Sequence, residues 1–145
     1  MPMKKYRFTF IFLFVCIVLS HAYAQKYSLT IAIEGAKQAR GKMQIGLFDK
    51  EDDFLVKGAE FKVLTVAVDS LSTQARFNDL PLGKYAISLY HDLDSSGEIN
   101  RNFIGIPVEP YGISNDAWHL LSAPRWEEAS FVVDTDKFIV IHLKH

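Results

Sequence analysis

The sequence is 145 residues long, and its 16 basic and 17 acidic side chains give a formal net charge of −1. This length suits one domain, and the charge balance lacks the basic excess that a nucleic-acid partner requires. Almost half of the residues are hydrophobic, which is enough for a packed core and excludes a disordered chain.

The first 24 residues have the features of a secretory signal peptide. Basic residues at positions 4, 5 and 7 precede an almost unbroken apolar run at 8–19, and Ala22-Tyr23-Ala24 supplies the small-x-small pattern of a cleavage site. The run is shorter than the roughly 20 apolar residues that a membrane-spanning helix needs. We therefore expect cleavage after Ala24, a periplasmic or secreted mature chain of residues 25–145, and no stable membrane anchor after cleavage.

Cleavage would change the composition in two ways. The only cysteine, Cys16, and three basic residues would be removed, which leaves 13 basic and 17 acidic side chains and a net charge of −4. An exported domain without a disulfide must be stabilised by its core, alone or together with a metal. The acidic balance of the mature chain again indicates that nucleic acid is not its partner.

The mature chain alternates apolar and polar residues with a period of two, for example at Leu29, Ile31 and Ile33. Short runs of this kind, rich in β-branched and aromatic residues and separated by turn-forming residues, are typical of β-strands. The sequence therefore predicts one all-β domain over residues 25–145, a seven-stranded antiparallel β-sandwich. The predicted strands are residues 27–33, 41–48, 60–68, 71–77, 84–91, 128–133 and 138–144.

Residues 92 to about 123 lack this alternation and are predicted as a long ordered loop between strands 5 and 6. A connection of more than about 12–15 residues is usually functional or disordered. Apolar residues such as Phe103, Ile106 and Trp118 make this one too apolar for disorder. We therefore expect any functional site to lie in this loop.

The start of the loop has the spacing of a calcium site. Oxygen-bearing side chains at positions 92, 94, 96 and 100, with a glycine at 97, repeat the first nine positions of an EF-hand loop, where the seventh position contributes its backbone carbonyl. We expect the carboxylates of Asp92 and Asp94 to converge on one point, with Gly97 allowing the chain to reverse. The predicted calcium ligands are Asp92, Asp94, Ser96, Glu98 and Asn100.

A polar turn is the alternative interpretation of the same residues. The twelfth position of the loop is Phe103 instead of the bidentate glutamate that closes an EF-hand. A cation would therefore need a further ligand from Glu109, Asp116 or water. Without a cation, Asp92 and Asp94 would accept backbone N–H groups, as the side chains of Asx turns do.

Two further alternatives use the histidines. A small extracytoplasmic hydrolase would use His91 and Asp92 beside the long loop, with Ser114 as a nearby hydroxyl group. The sequence contains no G-x-S-x-G, H-E-x-x-H or glycine-rich phosphate motif, however. Zinc or copper could bind His91 and His119 with a carboxylate, but no third nitrogen or sulfur ligand is evident. We therefore favour a non-catalytic function.

Binding is the function that the composition of the long loop favours. Its aromatic residues, with Tyr90 and Trp126 beside it, could form an apolar platform for a saccharide, a peptide or another envelope protein. The alternatives are that the rings pack the loop onto the sandwich, or that the domain is a structural envelope module that pairs with a partner protein through an edge strand. The predicted ligand-binding residues are His91, Asn102, Glu109, Tyr111, Asn115 and Trp118.

Several short motifs carry a family resemblance that covers essentially the whole mature chain. They are the run Phe77–Ala86, the pair His91-Asp92 before the Asp/Ser/Gly loop, Gly105-Ile106-Pro107, Tyr111–Asn115, and the downstream residues Pro124, Trp126, Ala129 and Phe131. With these motifs the chain resembles the bacterial domain of unknown function 2141. The resemblance implies an exported transthyretin-like or carboxypeptidase-regulatory-like β-sandwich and no established activity. We therefore expect a sandwich of the transthyretin or immunoglobulin-like type.

Overall fold

The computed structural model describes residues 25–119 and 122–145, so the predicted signal peptide, residues 1–24, lies outside the described residues. The described part is mostly β-structure, as the sequence predicts, and none of its helices is long and apolar enough to cross a membrane. It contains a four-residue helix α1 (Trp126–Ala129), a 3₁₀ turn (Ser114–Asp116), and the strands β1 (Lys26–Glu34), β2 (Lys42–Phe48), β3 (Lys62–Ala67), β4 (Thr73–Pro81), β5 (Gly83–Asp92), β6 (Tyr111–Ile113), β7 (Phe131–Val133) and β8 (Lys137–His142).

The strands form two sheets that share one core. One sheet has the order β4-β1-β8, and the other has the order β3-β2-β5-β6, with β7 pairing the first residues of β5. Alternate residues of β1 and β2, such as Ile31 and Ile45, are fully buried in the same cluster of hydrophobic side chains. Each sheet therefore buries its apolar face against the other sheet, as the period-two pattern requires.

The predicted antiparallel arrangement is wrong for one pair of strands. β1 and β8 run parallel, with Leu29 opposite Lys137 and Glu34 opposite His142. The alternation of apolar residues determines which side chains face the core, but it contains no information about the direction of the neighbouring strand.

The predicted strand count and two strand boundaries also need correction. The strand predicted at 71–77 is β4, which begins at Thr73 and continues to Pro81. The described residues contain eight strands instead of seven, because Tyr111–Ile113 pairs with Ser88–Tyr90 inside the connection that was expected to be a continuous loop. The predicted strand at 128–133 begins only at Phe131, and the preceding residues form α1. Trp126 and Ala129 of α1 are buried in a second, smaller hydrophobic cluster, and this packing overrides the local strand pattern.

Candidate functional site

The candidate site lies where the chain leaves β5 and returns to β6. The backbone N–H of His91 donates to the carbonyl of Pro110 at 2.7 Å, so the two chain segments lie side by side. We call residues 92–100 the acidic loop. Asp92, Asp94 and Glu109 each offer a carboxylate oxygen, and these three oxygens lie within 4.8 Å of one another.

Asp92 is fully buried and organises the turn of the acidic loop. Its two carboxylate oxygens accept the backbone N–H groups of Ser96 and Gly97, both at 2.9 Å. Gly97 has a φ of 81°, a conformation that glycine adopts without strain, and the chain reverses there as predicted. The side-chain amide of Gln44 also donates to Asp92, at 3.2 Å.

Asp94 lies on the exposed side of the same turn. One of its oxygens accepts the Ser96 N–H at 3.1 Å, and the other accepts the side-chain amide of Asn100 at 2.8 Å. Hydrogen bonds from Asn100, which has the largest effect, and from Ser96 lower the pKa of Asp94 to about 2. The prediction that Asp92 and Asp94 converge is confirmed, because both carboxylates accept the same backbone N–H group.

Glu109 links the two ends of the acidic loop from the opposite segment. It is almost fully buried, and its two oxygens accept the backbone N–H groups of Leu93 at 2.8 Å and Asn100 at 2.9 Å. The sequence offered Glu109 and Asp116 as carboxylates that could complete the calcium site, and Glu109 is the one that lies beside the loop. Asp116 instead accepts hydrogen bonds from the backbone and the ring of His142.

The cluster of three carboxylates carries negative charge without a paired cation. Among the described residues, no Lys, Arg or His lies within ion-pair distance of the three; Lys57 is near the loop but binds Glu98 at 2.6 Å. Tyr90 spans the loop, and its hydroxyl donates to the Gly97 carbonyl at 3.0 Å. Burial, and then the negative charges of Asp92 and Glu109, raise the pKa of Tyr90. Oxygen donors with excess negative charge are the environment that hard cations prefer.

The remaining predicted calcium ligands are held in hydrogen bonds within the loop. The Ser96 hydroxyl donates to the backbone carbonyl of Glu98 at 3.1 Å, and the Glu98 side chain points to Lys57. The Asn100 amide is bound to Asp94. The structure therefore groups Asp92 and Asp94 with Glu109, and it gives Ser96, Glu98 and Asn100 internal partners.

Besides Glu109, three of the predicted ligand-binding residues have partners in the backbone. The ring Nε2 of His91, which is fully buried, lies 2.7 Å from the carbonyl of Arg40. The side-chain oxygen of Asn102 accepts the N–H groups of residues 104 and 106, and the Asn115 amide donates to the carbonyls of residues 128 and 130. Each of these side chains thus stabilises a turn or a connection.

The aromatic residues do not form one exposed platform. Trp126 is only 8% exposed and packs against Phe54, with ring centroids 5.7 Å apart. Trp118 is 46% exposed and lies under Lys144, whose Nζ is 3.6 Å from the ring centroid. Tyr111, in β6, is half-buried. Trp118 is therefore the predicted aromatic contact that remains open to solvent.

The positions of Ser114 and His119 do not support the catalytic and zinc alternatives. The hydroxyl of Ser114, a fully buried residue, accepts the N–H of Ile87 at 2.9 Å and donates to the carbonyl of Ala129 at 2.6 Å. It is therefore not available as a nucleophile. His119 binds Glu128 at 3.1 Å, and the acidic cluster, which is the group of potential metal ligands found in the described part of the chain, contains no histidine.

Three residues that support the acidic loop, Gln44, Thr65 and Gly41, were not identified from the sequence. Thr65 donates to the side-chain oxygen of Gln44 at 2.6 Å, which leaves the Gln44 amide directed to Asp92. Gly41 has a φ of 75°, and a Cβ atom there would collide with the backbone carbonyl of Asp92 and lie 2.9 Å from the Cα of Leu93. The contacts of Gln44 and Gly41 with the start of the loop depend on the pairing of β2 with β5, and the contact of Thr65 with Gln44 depends on the pairing of β2 with β3. A single sequence specifies neither pairing.

Comparison with protein families gives a match. The model of a family described as "Uncharacterized protein conserved in bacteria (DUF2141)" matches residues 31–140, a range that includes the acidic loop and Glu109. No curated protein and no solved structure matches the chain.

Proposed function

Since the chain belongs to DUF2141, a family of uncharacterized bacterial proteins, we propose its function from its own geometry. The protein is an exported, non-catalytic binding or accessory module that is folded as a β-sandwich. Its acidic loop holds a calcium ion. The observation that carries the calcium proposal is the group of Asp92, Asp94 and Glu109. Their oxygens lie within 4.8 Å of one another, and no described basic side chain is in ion-pair distance of them.

The donor set favours calcium over other metals. It consists of oxygen atoms alone, which suits calcium and magnesium and not zinc or copper. Magnesium demands near-ideal octahedral geometry, whereas calcium accepts an irregular shell of six to eight oxygens. Asp92 Oδ2 accepts both the Gly97 N–H and the Gln44 amide. Asp92 Oδ1 accepts the backbone N–H of Ser96 and keeps a second lone pair with which it can coordinate an ion.

The ion would act mainly on the order of the loop. Three like charges within 4.8 Å repel one another, by roughly 1 kcal/mol per pair in a water-like medium and more where water is excluded. A divalent cation removes this repulsion and stabilises the turn between β5 and β6. Few carboxylates and partial exposure indicate weak binding, in the range of about 10⁻⁴–10⁻³ M that extracellular calcium modules show.

A thermal melt of residues 25–145 in millimolar calcium and in chelator tests the proposal. A cation that binds only the folded state raises the melting temperature, and a concentration ten times the dissociation constant corresponds to about 1.4 kcal/mol. Asp94→Asn should reduce the shift, because it removes an exposed ligand charge while the hydrogen bonds of Asp92 and Glu109 remain. Glu127→Gln, at an exposed residue outside the loop, is the matched control.

The result that contradicts the proposal is a melting curve that calcium does not change, or one that magnesium shifts equally. In the first case the carboxylates serve only as acceptors for backbone N–H groups, and in the second the loop binds divalent cations without preferring calcium. Export is tested separately by mass spectrometry of the protein recovered from outside the cytoplasm. Its first residue should be Gln25, and a retained N-terminus would refute the predicted cleavage site.

A further inference from the structure

A pocket of about 200 Å³ lies at the end of the sandwich where β5 finishes. It is formed by the connection from β1 to β2, the end of β5, the segment before β6 and the segment after β8. Its polar lining residues are Lys37, Gln38, His91 and His145, and its other lining residues are apolar. The pocket is large enough to hold an ion and several waters, and none of the three clustered carboxylates is among its lining residues.

The two ring nitrogens of His91, which is fully buried, have different surroundings. Nε2 lies 2.7 Å from the carbonyl oxygen of Arg40. A carbonyl oxygen can only accept a hydrogen bond, so Nε2 carries the proton, and Nδ1 of the neutral ring has a free lone pair. Nδ1 is buried and has no hydrogen-bond partner in the part of the chain that the structure describes. A buried polar atom of this kind requires a partner from outside the chain, such as a water or an ion.

His145, the second histidine of the pocket, is held in the same way. Its Nε2 lies 2.8 Å from the carbonyl oxygen of Gly35, so Nε2 again carries the proton and Nδ1 has the lone pair. Two histidines that line one pocket therefore each have Nδ1 as the nitrogen that can bind a metal. Metal-binding histidines almost always have their other ring N–H fixed by a carboxylate, a backbone carbonyl or a water, and both histidines already have this support.

Two unprotonated imidazole nitrogens favour a particular class of metal. Imidazole suits copper, zinc and nickel, whereas calcium and magnesium prefer oxygen ligands. Among the divalent metals of the first transition row, copper(II) binds a given set of nitrogen and oxygen ligands most tightly. Gln38 adds a side-chain carbonyl oxygen to the pocket. Lys37 is exposed, so its ammonium group can remain in water while its stem lines the pocket.

We propose that this pocket binds one copper(II) ion through Nδ1 of His91 and Nδ1 of His145, with the Gln38 carbonyl and water as further ligands. The ion supplies the partner that Nδ1 of His91 lacks among the described groups, and it joins the end of β5 to the segment after β8. The histidine that complements His91 is thus His145 and not His119, which binds Glu128. This site is separate from the acidic loop, and the inference does not rest on the calcium proposal.

Isothermal titration of the mature protein with copper(II), in millimolar calcium to occupy the acidic loop, tests the inference. The wild-type protein should bind one copper(II) ion per chain, and His145→Gln should raise the dissociation constant at least tenfold. His142→Gln is the matched control, because it replaces another exposed histidine, whose ring is bound to Asp116. This control, and Asp94→Asn in the acidic loop, should change the dissociation constant less than twofold. Thermal melts of all variants exclude unfolding as the cause.

Magnetic resonance of the imidazole nitrogens tests the ligand atoms in the wild-type protein, with zinc(II) as a diamagnetic substitute for copper(II). Zinc should shift the Nδ1 resonances of His91 and His145, and the Nε2 atoms of both rings should keep their protons. Because this measurement needs no variant, it remains decisive if His145→Gln does not fold.

Three results would overturn the inference: no copper binding, equal affinity in a folded His145→Gln protein, or Nδ1 resonances that zinc does not shift. Nδ1 of His91 would then pair with a bound water. If inorganic phosphate binds instead and Lys37→Gln abolishes this binding, the ligand of the pocket is an anion and the inference is wrong. A calcium-dependent melt without copper binding would refute the copper inference alone, and copper binding to a protein whose melt ignores calcium would refute the calcium proposal alone.

Discussion

Replacing Ser114 by alanine measures how strongly one buried hydroxyl holds β5, the 3₁₀ turn and α1 together. The substitution leaves the N–H of Ile87 and the carbonyl of Ala129, both in fully buried residues, without their partner. Each buried polar group left unsatisfied costs about 1–3 kcal/mol. The carbonyl is at the lower end of that range, because a buried carbonyl without a full set of partners is tolerated more often than a buried N–H group. We therefore expect Ser114→Ala to lower the free energy of unfolding by about 2–4 kcal/mol.

Thermal and urea denaturation of the mature protein, followed by tryptophan fluorescence, measure this loss. For a domain of about 120 residues the unfolding entropy makes 1 kcal/mol equal to about 4 °C, so the melting temperature should fall by about 8–16 °C. Ser72→Ala, which removes an exposed hydroxyl, should change stability by less than about 0.5 kcal/mol. If Ser114→Ala is no worse than this control, the hydroxyl does not have the structural role assigned to it.

Three further predictions concern the acidic loop and the histidine on β8. Glu109→Gln should destabilise the protein by about 1–2 kcal/mol more in calcium than in chelator. In chelator, the relief of repulsion between the carboxylates offsets part of the lost hydrogen bonding. Equal losses of unfolding free energy in the two conditions, measured by urea denaturation, would contradict a calcium site at the three carboxylates. Gly41→Ala should lower the free energy of unfolding by at least about 2 kcal/mol more than Gly58→Ala does. Both positions have a positive φ, but only at Gly41 would a Cβ atom collide with backbone atoms. Thermal melts followed by circular dichroism compare the two variants, and equal losses of stability would refute the contact at Gly41. The hydrogen bond to Asp116 raises the pKa of His142 above 6.5. Its contribution is thus fully present below pH 6.5 and lost as the pH rises through the folded pKa. The wild-type melting temperature should therefore fall more than that of His142→Gln between about pH 6 and about pH 8.5, and parallel pH profiles would refute this.

The strands that the sequence predicted well are those with one buried face. β1 was expected at 27–33 and is found at Lys26–Glu34, because its large, almost completely buried residues, Leu29, Ile31 and Ile33, alternate along the run. β6 was missed since it has only three residues and a central glycine. That glycine is required by packing, because a Cβ atom at Gly112 would lie 2.7 Å from Ile141. Such close approach between strands from distant parts of the chain leaves no local signal in a sequence.

In the candidate site too, the features that depend on local contacts could be predicted from the sequence, and those that depend on distant contacts could not. The convergence of Asp92 and Asp94 and the reversal at Gly97 could be predicted, because they depend on spacing within one short loop. The support from Gln44 could not, since it depends on the register between β2 and β5. Glu109 was recognised as an acceptable ligand, but its two hydrogen bonds to the ends of the loop follow from the pairing of β5 with β6.

The parallel pairing of β1 with β8 has a consequence for the order of folding. β1 has only β4 and β8 as neighbours in its sheet, and the contact with β8 joins residues more than 100 positions apart, such as Leu29 and Lys137. A pairing over so long a separation forms slowly, because loop closure must precede the contacts that reward it. The sheet therefore remains open until β8 has been synthesised. Such a delay would keep a polypeptide that must cross a membrane before it folds in an unfolded state that can be transported. The individual strands would not need to be unstable for this to happen.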